Sequence, residues 1–341
     1  MASKTFGIDF GTSTIKIYKK NDGIILDERN IIAIANKKQV IAVGDEAYEM
    51  YEKAPKNIKV TYPIRNGVIA DFNCMVDLLN HLNHEIGGKS TTFNSAEYIV
   101  ATPTDITEVE RRAFFDLISS SNAKAKKVRI VEKPVADALG VGLDVTSAHG
   151  VMIVNIGADT TEVSVLALGG IVLSKLVPVG GNKLDESIKN YVKKKYNLMI
   201  GDKTAEAIKK ELANAVPSEE SELSVYGRDV VTGLPVEMKI SSSMVSEAIS
   251  EYLYSIVDAI RIILERTPPE ISSDIIDSGI YVTGGSANIR NLDVLISNET
   301  DLKINIAENA ANSVVTGLGK IIEDPNFNSL AVPLKQTYFV G

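Results

Sequence analysis

The sequence predicts a two-domain α/β protein whose two halves repeat one device. At 341 residues the chain can bury a large core and divide into two domains of ordinary size. The stretch from Thr5 to Tyr18 reads as an apolar strand, a tight turn of small hydroxylated residues and a second alternating strand with Ile15 and Ile17 on one face. Gly150 to Leu166 repeats the layout around Asn155, Gly157, Ala158, Asp159, Thr160 and Thr161. Ile280 to Arg290 then runs from an apolar strand into the turn Thr283, Gly284, Gly285, Ser286, which is expected to open a helix.

The first turn already suggests a chemistry. Gly11, Thr12, Ser13 and Thr14 offer backbone N–H groups and hydroxyls to an anion, and Asp9 at the strand end can hold a hydrated metal beside it. Taken alone, the stretch is equally an ordinary surface hairpin with a capping Asp. A Walker loop, G-x-x-x-x-G-K-[ST], is absent from the sequence.

Two such hairpins followed by a glycine turn resemble the actin, Hsp70 and sugar-kinase superfamily. Within it the chain is most similar to the bacterial actins of the MreB family. Asn66 to Asp71, Thr104 to Arg112, Ala167 to Val172, Gly180 to Glu186 and Arg290 to Asp293 are close to signature stretches of that family, in the same order. The resemblance implies an actin-like fold: two duplicated RNase H-like domains, each with a smaller inserted subdomain, and a nucleotide cleft between them. Residues 1–144 with 311–341 would form domain I and 145–310 domain II, with small subdomains at about 33–65 and 182–240.

Composition narrows the partners. The net charge of −8 argues against nucleic acid, whose phosphates are bound by surplus Lys and Arg. Cys74 is the single cysteine, so no intramolecular disulfide can form, and its neighbours Phe72, Met75 and Val76 favour a packed core thiol. Met1 to Lys4 lead directly into the first strand, which leaves no room for a signal peptide or an N-terminal amphipathic helix. No apolar run has the length of a spanning helix. A cytoplasmic protein is expected, with membrane contact at most peripheral.

Along the chain, Gly23 to Glu28 and Asn30 to Ala35 continue as strands, and the polar tract Asn36 to Val60 would be the inserted subdomain. Asp71 to Ile86 reads as a helix with Met75, Leu78, Leu79 and Leu82 on one face. His81 and His84 near its end lack a third ligand and read as surface residues. Phe93 is the one large apolar residue of the loop Gly87 to Ser95. Related proteins carry an apolar pair there that enters lipid, so a single aromatic implies weak or indirect membrane contact. Tyr98 to Pro103 and Val128 to Val131 are strands, and Thr107 to Ser119 is a helix with Val109, Ala113, Phe114 and Leu117 inward. Pro134 to Leu143 is a small-residue helix expected to cross between the halves. In the second half Lys203 to Val216 has helical spacing, and Val225 to Met238 forms a hairpin region with its turn at Thr232 and Gly233. Ser243 is expected to cap a long helix to Arg266 with Val245, Ile249, Ile256, Ile260 and Ile263 inward, closed by Pro268 and Pro269.

By resemblance the cofactors are ATP or ADP with Mg²⁺. Gly11, Thr12, Ser13, Thr14, Gly157, Ala158, Asp159 and Thr160 would hold phosphates, and Asp9 and Asn155 would reach the metal through water. Lys16 adds a cationic contact, or is a surface lysine on an outward strand position. Glu206, Lys209 and Lys210 resemble ribose and base contacts, or form a solvated charged face. Gly181, Gly284, Gly285, Ser286 and Asn288 complete the nucleotide set.

The chain departs from the family at the reacting end. Family members usually carry Asp at the place of Asn155, a glycine run at Ala158 and Asp159, and Glu-Glu-Pro where this chain has Glu132, Lys133 and Pro134. The second Glu of that trio lies nearest the attacking water. An ammonium with a reference pKa of about 10.4 cannot accept the water's proton at neutral pH. Lys133 would instead attract the γ-phosphate or pair with Asp159, either of which favours the bound ground state. The expectation is a filament subunit that hydrolyses ATP weakly, with rotation of Glu132 into the site as the alternative.

The implied partner is the chain itself, in filaments with heterologous head-to-tail contacts and paired protofilaments, together with paralogous family members. The setting suggested is the set of paralogues that shapes or moves wall-less helical bacteria. A small-molecule kinase of the same superfamily would need a carboxylate base facing an acceptor hydroxyl and a sugar pocket, which no segment clearly supplies. An Hsp70-like chaperone would suit Gly284, Gly285 and Ser286, but the short tail leaves no room for a substrate-binding domain.

Overall fold

The computed structural model describes residues 4–36, 39–87, 96–123, 125–216 and 219–334. The chain forms two compact units, one of residues 1–148, 166–171 and 312–341, the other of residues 149–165 and 172–311.

The first unit is built on a five-stranded sheet in the order Lys127–Glu132, Glu97–Thr102, Thr5–Phe10, Thr14–Lys19, Gly23–Arg29. The first three run parallel and the last three form an antiparallel meander. Every residue of Thr5–Phe10 is buried because both faces of the sheet are covered, the arrangement that continuous apolar strands require. Phe6, Ile8 and Phe10 share a core with Met75, Leu78 and Leu79 of helix Phe72–Gly87 and with Phe114 and Leu117 of helix Glu108–Ser120. On the other face Leu318 and Ile322 of helix Ser313–Glu323 close over Gly7. That helix crosses Lys133–Gly140 at a distance only small residues allow: a Cβ on Gly317 would fall 1.6 Å from the carbonyl oxygen of Ala136.

The second unit repeats the strand order. Its sheet runs Gly170–Val177, Thr161–Ala167, Val151–Ile156, Ile280–Thr283, Ile304–Ile306, with the last three parallel. Helices Gly181–Tyr196, Asp202–Leu212 and Ser242–Arg266 bury Leu184, Ile188, Ile208, Ile249, Ile256 and Ile260 in one core with this sheet. Each unit also carries a three-stranded sheet. In the first it is Gln39–Val43, Ile32–Ala35, Ile58–Thr61 beside helix Gly44–Met50, and in the second Leu198–Met199, Glu222–Asp229, Pro235–Ser241.

Several local expectations are corrected. Val109 is 79% exposed rather than inward, because Thr107 and Glu110 form a capping box that starts the helix at Glu108 and turns Val109 to solvent in its first turn. The cap of the long helix is Ser241, whose hydroxyl accepts from the Met244 N–H, while Ser243 lies inside the helix and donates to Glu220. The glycine turn opens only a 3-10 segment, Gly285–Asn288, and the next α-helix begins at Leu292. The small-residue helix ends at Gly140, and the helix expected from Lys203 spans Asp202–Leu212. Lys16 is buried rather than on an outward surface position.

Phe93 lies outside the described residues. His81 stands 3.5 Å from Glu85, and among the described residues no group of three or more His, Cys, Asp or Glu side chains is placed to hold a metal. Cys74 is buried, and burial pushes its thiol up to about 11. Among the described residues no helix is long and apolar enough to cross a membrane.

Candidate functional site

The two turns occupy the same place in the two sheets. Asp9 is the fifth residue of Thr5–Phe10 and Asn155 the fifth of Val151–Ile156, so Gly11 to Thr14 correspond to Gly157 to Thr160 one for one.

In the first unit the turn is pinned from behind by Asn30, whose Nδ2 donates to the Gly11 carbonyl at 2.8 Å and whose N–H donates to the Ser13 carbonyl at 2.9 Å. Asp9 is buried at the strand end. Lys133, the first residue of helix Lys133–Gly140, places Nζ 3.0 Å from Asp9 Oδ1, an ion pair without hydrogen-bond alignment. Both side chains are more than four-fifths buried, at 17% and 12% exposure. Glu132, the residue before that helix, is approached by Arg111 Nη1 at 3.7 Å. Lys16 is engaged elsewhere, 3.3 Å from Asp27 Oδ2 and hydrogen-bonded to Asn312 Oδ1.

In the second unit the Gly157 N–H closes the turn on the Thr160 carbonyl at 2.8 Å. The Gly157 carbonyl accepts from the Gly181 N–H at 3.0 Å and from Ser286 Oγ at 3.1 Å, and the Ala158 carbonyl from the Asn182 N–H at 2.7 Å. The hairpin, the start of helix Gly181–Tyr196 and the glycine bend therefore meet at one point. Gly284, at φ +84°, is required there: a Cβ would lie 2.4 Å from the Ile156 carbonyl oxygen. Gly285 has open space where its Cβ would be, the surface a ligand can approach closely. Asn288 Nδ2 donates back to the Gly285 carbonyl at 3.3 Å. Asp159 accepts from Asn182 Nδ2 at 2.7 Å.

Helix Asp202–Leu212 brings Lys209 Nζ to the Gly181 carbonyl at 3.0 Å and to Asp185 Oδ2 at 2.8 Å. Burial pushes the Asp185 carboxyl above its ordinary range, and the Lys209 ammonium partly offsets this. Glu206 pairs with Lys210 at 2.6 Å along the same helix. Sequence reasoning missed Asn30, Arg111, Asp185 and Thr283 as partners of the predicted residues. Each acts across a gap in sequence that no local pattern marks.

Backbone donors and an ammonium suit a polyphosphate. A divalent metal held through water by Asp9 does not suit the first turn. Asp9 is already paired with Lys133, and an ammonium has no acceptor. In the second unit Asn155 is a neutral amide whose Nδ2 donates to Thr283 Oγ1 at 3.1 Å.

Two sheets of one strand order, each with a small-residue turn after its first strand and each joined by a small accessory sheet, make this an actin-like protein. The family model "MreB/Mbl protein" matches residues 3–329. The cell shape-determining protein MreB of Escherichia coli is 40% identical over 329 residues, covering 95% of this chain and 94% of that protein. The cell shape-determining protein Mbl of Bacillus subtilis is 38% identical over 326 residues, covering 95% and 97%. The crystal structure of Spiroplasma citri MreB 5 bound to AMPPNP superposes with a TM-score of 0.90 at 34% identity, covering 94% of this chain and 96% of that one. The MamK double helical filament shares the fold at a TM-score of 0.77 and 21% identity. The chain belongs to the MreB/Mbl family and is an actin-like cytoskeletal protein.

Proposed function

We propose that the chain is the nucleotide-binding subunit of a filament that serves cell shape or motility and that it hydrolyses ATP poorly. The Spiroplasma citri relative binds AMPPNP and ADP, which supports an adenine nucleotide here. The turns Gly11 to Thr14 and Gly157 to Thr160 hold its phosphates, with Gly284, Gly285, Ser286 and Asn288 bordering the nucleoside. Glu206 and Lys210 meet ribose and base, while Lys209 fixes the start of helix Gly181–Tyr196. Lys16 supports the first turn from the core through Asp27 and Asn312 rather than by touching phosphate.

Hydrolysis needs a group that takes a proton from the attacking water. The Lys133 ammonium pairs with Asp9, so the position that should offer a base offers a cation, which stabilises bound triphosphate more than it stabilises the transition state. The Lys133 to Asp9 ion pair is the observation that carries this reading. Subunits associate with further copies head to tail, in paired strands and with family paralogues, in the cytoplasm; contact with the membrane's inner face is weak or indirect.

Pelleting with ATP, ADP and a non-hydrolysable analogue, run alongside phosphate release, tests the proposal. Assembly in all three states with release near the buffer baseline is expected. Fast release stimulated by assembly overturns the weak-hydrolysis reading, and failure to sediment under every nucleotide overturns the filament reading.

A further inference from the structure

We propose that Lys133 is a built-in counter-cation for the phosphate site, so that this chain binds its nucleoside triphosphate without a divalent metal. The inference rests on the nucleotide reading above and deepens it.

Three features of the site lead here. Lys133 Nζ stands 3.0 Å from Asp9 Oδ1, with both side chains largely buried, so the one carboxylate of the first turn's strand end is already neutralised. The corresponding residue of the second sheet, Asn155, carries no charge and is tied through Nδ2 to Thr283. A hydrated divalent cation brought to Asp9 would meet an ammonium of like charge and no acceptor on it. The residues thus place a fixed positive charge where a soluble one would otherwise be recruited. The three N–H donors of an ammonium on a flexible stem suit phosphate oxygens, and the ion pair with Asp9 holds the charge at the strand end before the ligand arrives. Lys133 here is a ligand-contacting residue.

The test is equilibrium binding of ATP to the full chain, in excess Mg²⁺ and in EDTA, for the parent and three variants. The parent should change its affinity by less than about threefold between the two conditions. Lys133→Arg should behave as the parent. Lys133→Glu should bind in Mg²⁺ and lose about tenfold or more in EDTA, because two adjacent carboxylates now need the metal. Asp9→Asn combined with Lys133→Met removes both charges and so avoids a buried unpaired carboxylate. It should bind at least about tenfold more weakly than the parent in EDTA. If that double variant binds ATP as the parent does, Lys133 is only a structural partner of Asp9 and the proposal is wrong. A parent that loses more than about threefold in EDTA while binding well in Mg²⁺ also overturns it, and leaves the nucleotide reading intact. A parent that binds ATP under neither condition removes the nucleotide reading itself.

Discussion

Arg111 Nη1 lies 3.7 Å from Glu132 Oε1, so the one carboxylate adjacent to Lys133 on the chain is drawn toward a guanidinium on helix Glu108–Ser120. This relationship separates two explanations of slow hydrolysis. If Lys133 sets the limit, freeing Glu132 changes little. Arg111→Ala should therefore leave phosphate release within about twofold of the parent. A rise of about tenfold or more would show that Glu132 is a competent base held back by Arg111.

Lys209 and Asp185 give a prediction with a pH signature. Burial raises the Asp185 pKa in the folded chain above its unfolded value, and Lys209 opposes that rise. A raised carboxyl pKa means the folded state binds the extra proton, so stability falls as pH rises from the unfolded pKa through the folded one. Lys209→Met widens that window. The variant should lose about 2–3 kcal/mol near neutral pH by urea denaturation, and the deficit should shrink as pH is lowered toward about 4. Adding Asp185→Asn should restore most of the loss. A deficit that is constant with pH would place the effect in packing instead.

The glycine bend separates fold from ligand. Gly284→Ala forces a Cβ to within 2.4 Å of a backbone oxygen at φ +84°, and should cost about 2 kcal/mol or more in a thermal or urea melt. Gly285→Leu enters open space. It should melt within about 0.5 kcal/mol of the parent and yet weaken nucleotide binding by about tenfold. Parent-like affinity in Gly285→Leu would remove the bend from the nucleotide site.

Much of this was legible locally. The apolar strands Thr5–Phe10 and Val151–Ile156, the small turns after them and the buried stripe of Ser242–Arg266 are patterns of neighbours in sequence. What was not legible depends on distant partners. Lys16 alternates with Ile15 and Ile17 and so reads as outward, but its strand lies inside a sheet covered on both faces, and its partner Asn312 is 296 residues away. Likewise Lys133 reads as a departure from the family, while its pairing with Asp9 depends on the parallel register that sets Glu97–Thr102 between their strands. Val109 reads as inward for a local reason: it keeps helical spacing with Ala113 and Leu117, but the capping box places it in the first turn, where it faces solvent.

Cys74 offers an independent probe of the first unit's core. With its thiol pushed up to about 11, only about 0.1% is thiolate at pH 8. Alkylation of the native chain should be slow, and should speed up sharply at the urea concentration where the unit unfolds. Rapid native labelling would mean that helix Phe72–Gly87 opens readily.

The most direct measurement is phosphate release by assembled Lys133→Glu beside the parent, at matched ATP occupancy and with Mg²⁺ present. A carboxylate restored at that position should raise the rate about tenfold or more. A variant that binds ATP and assembles but releases phosphate no faster than the parent would contradict the account.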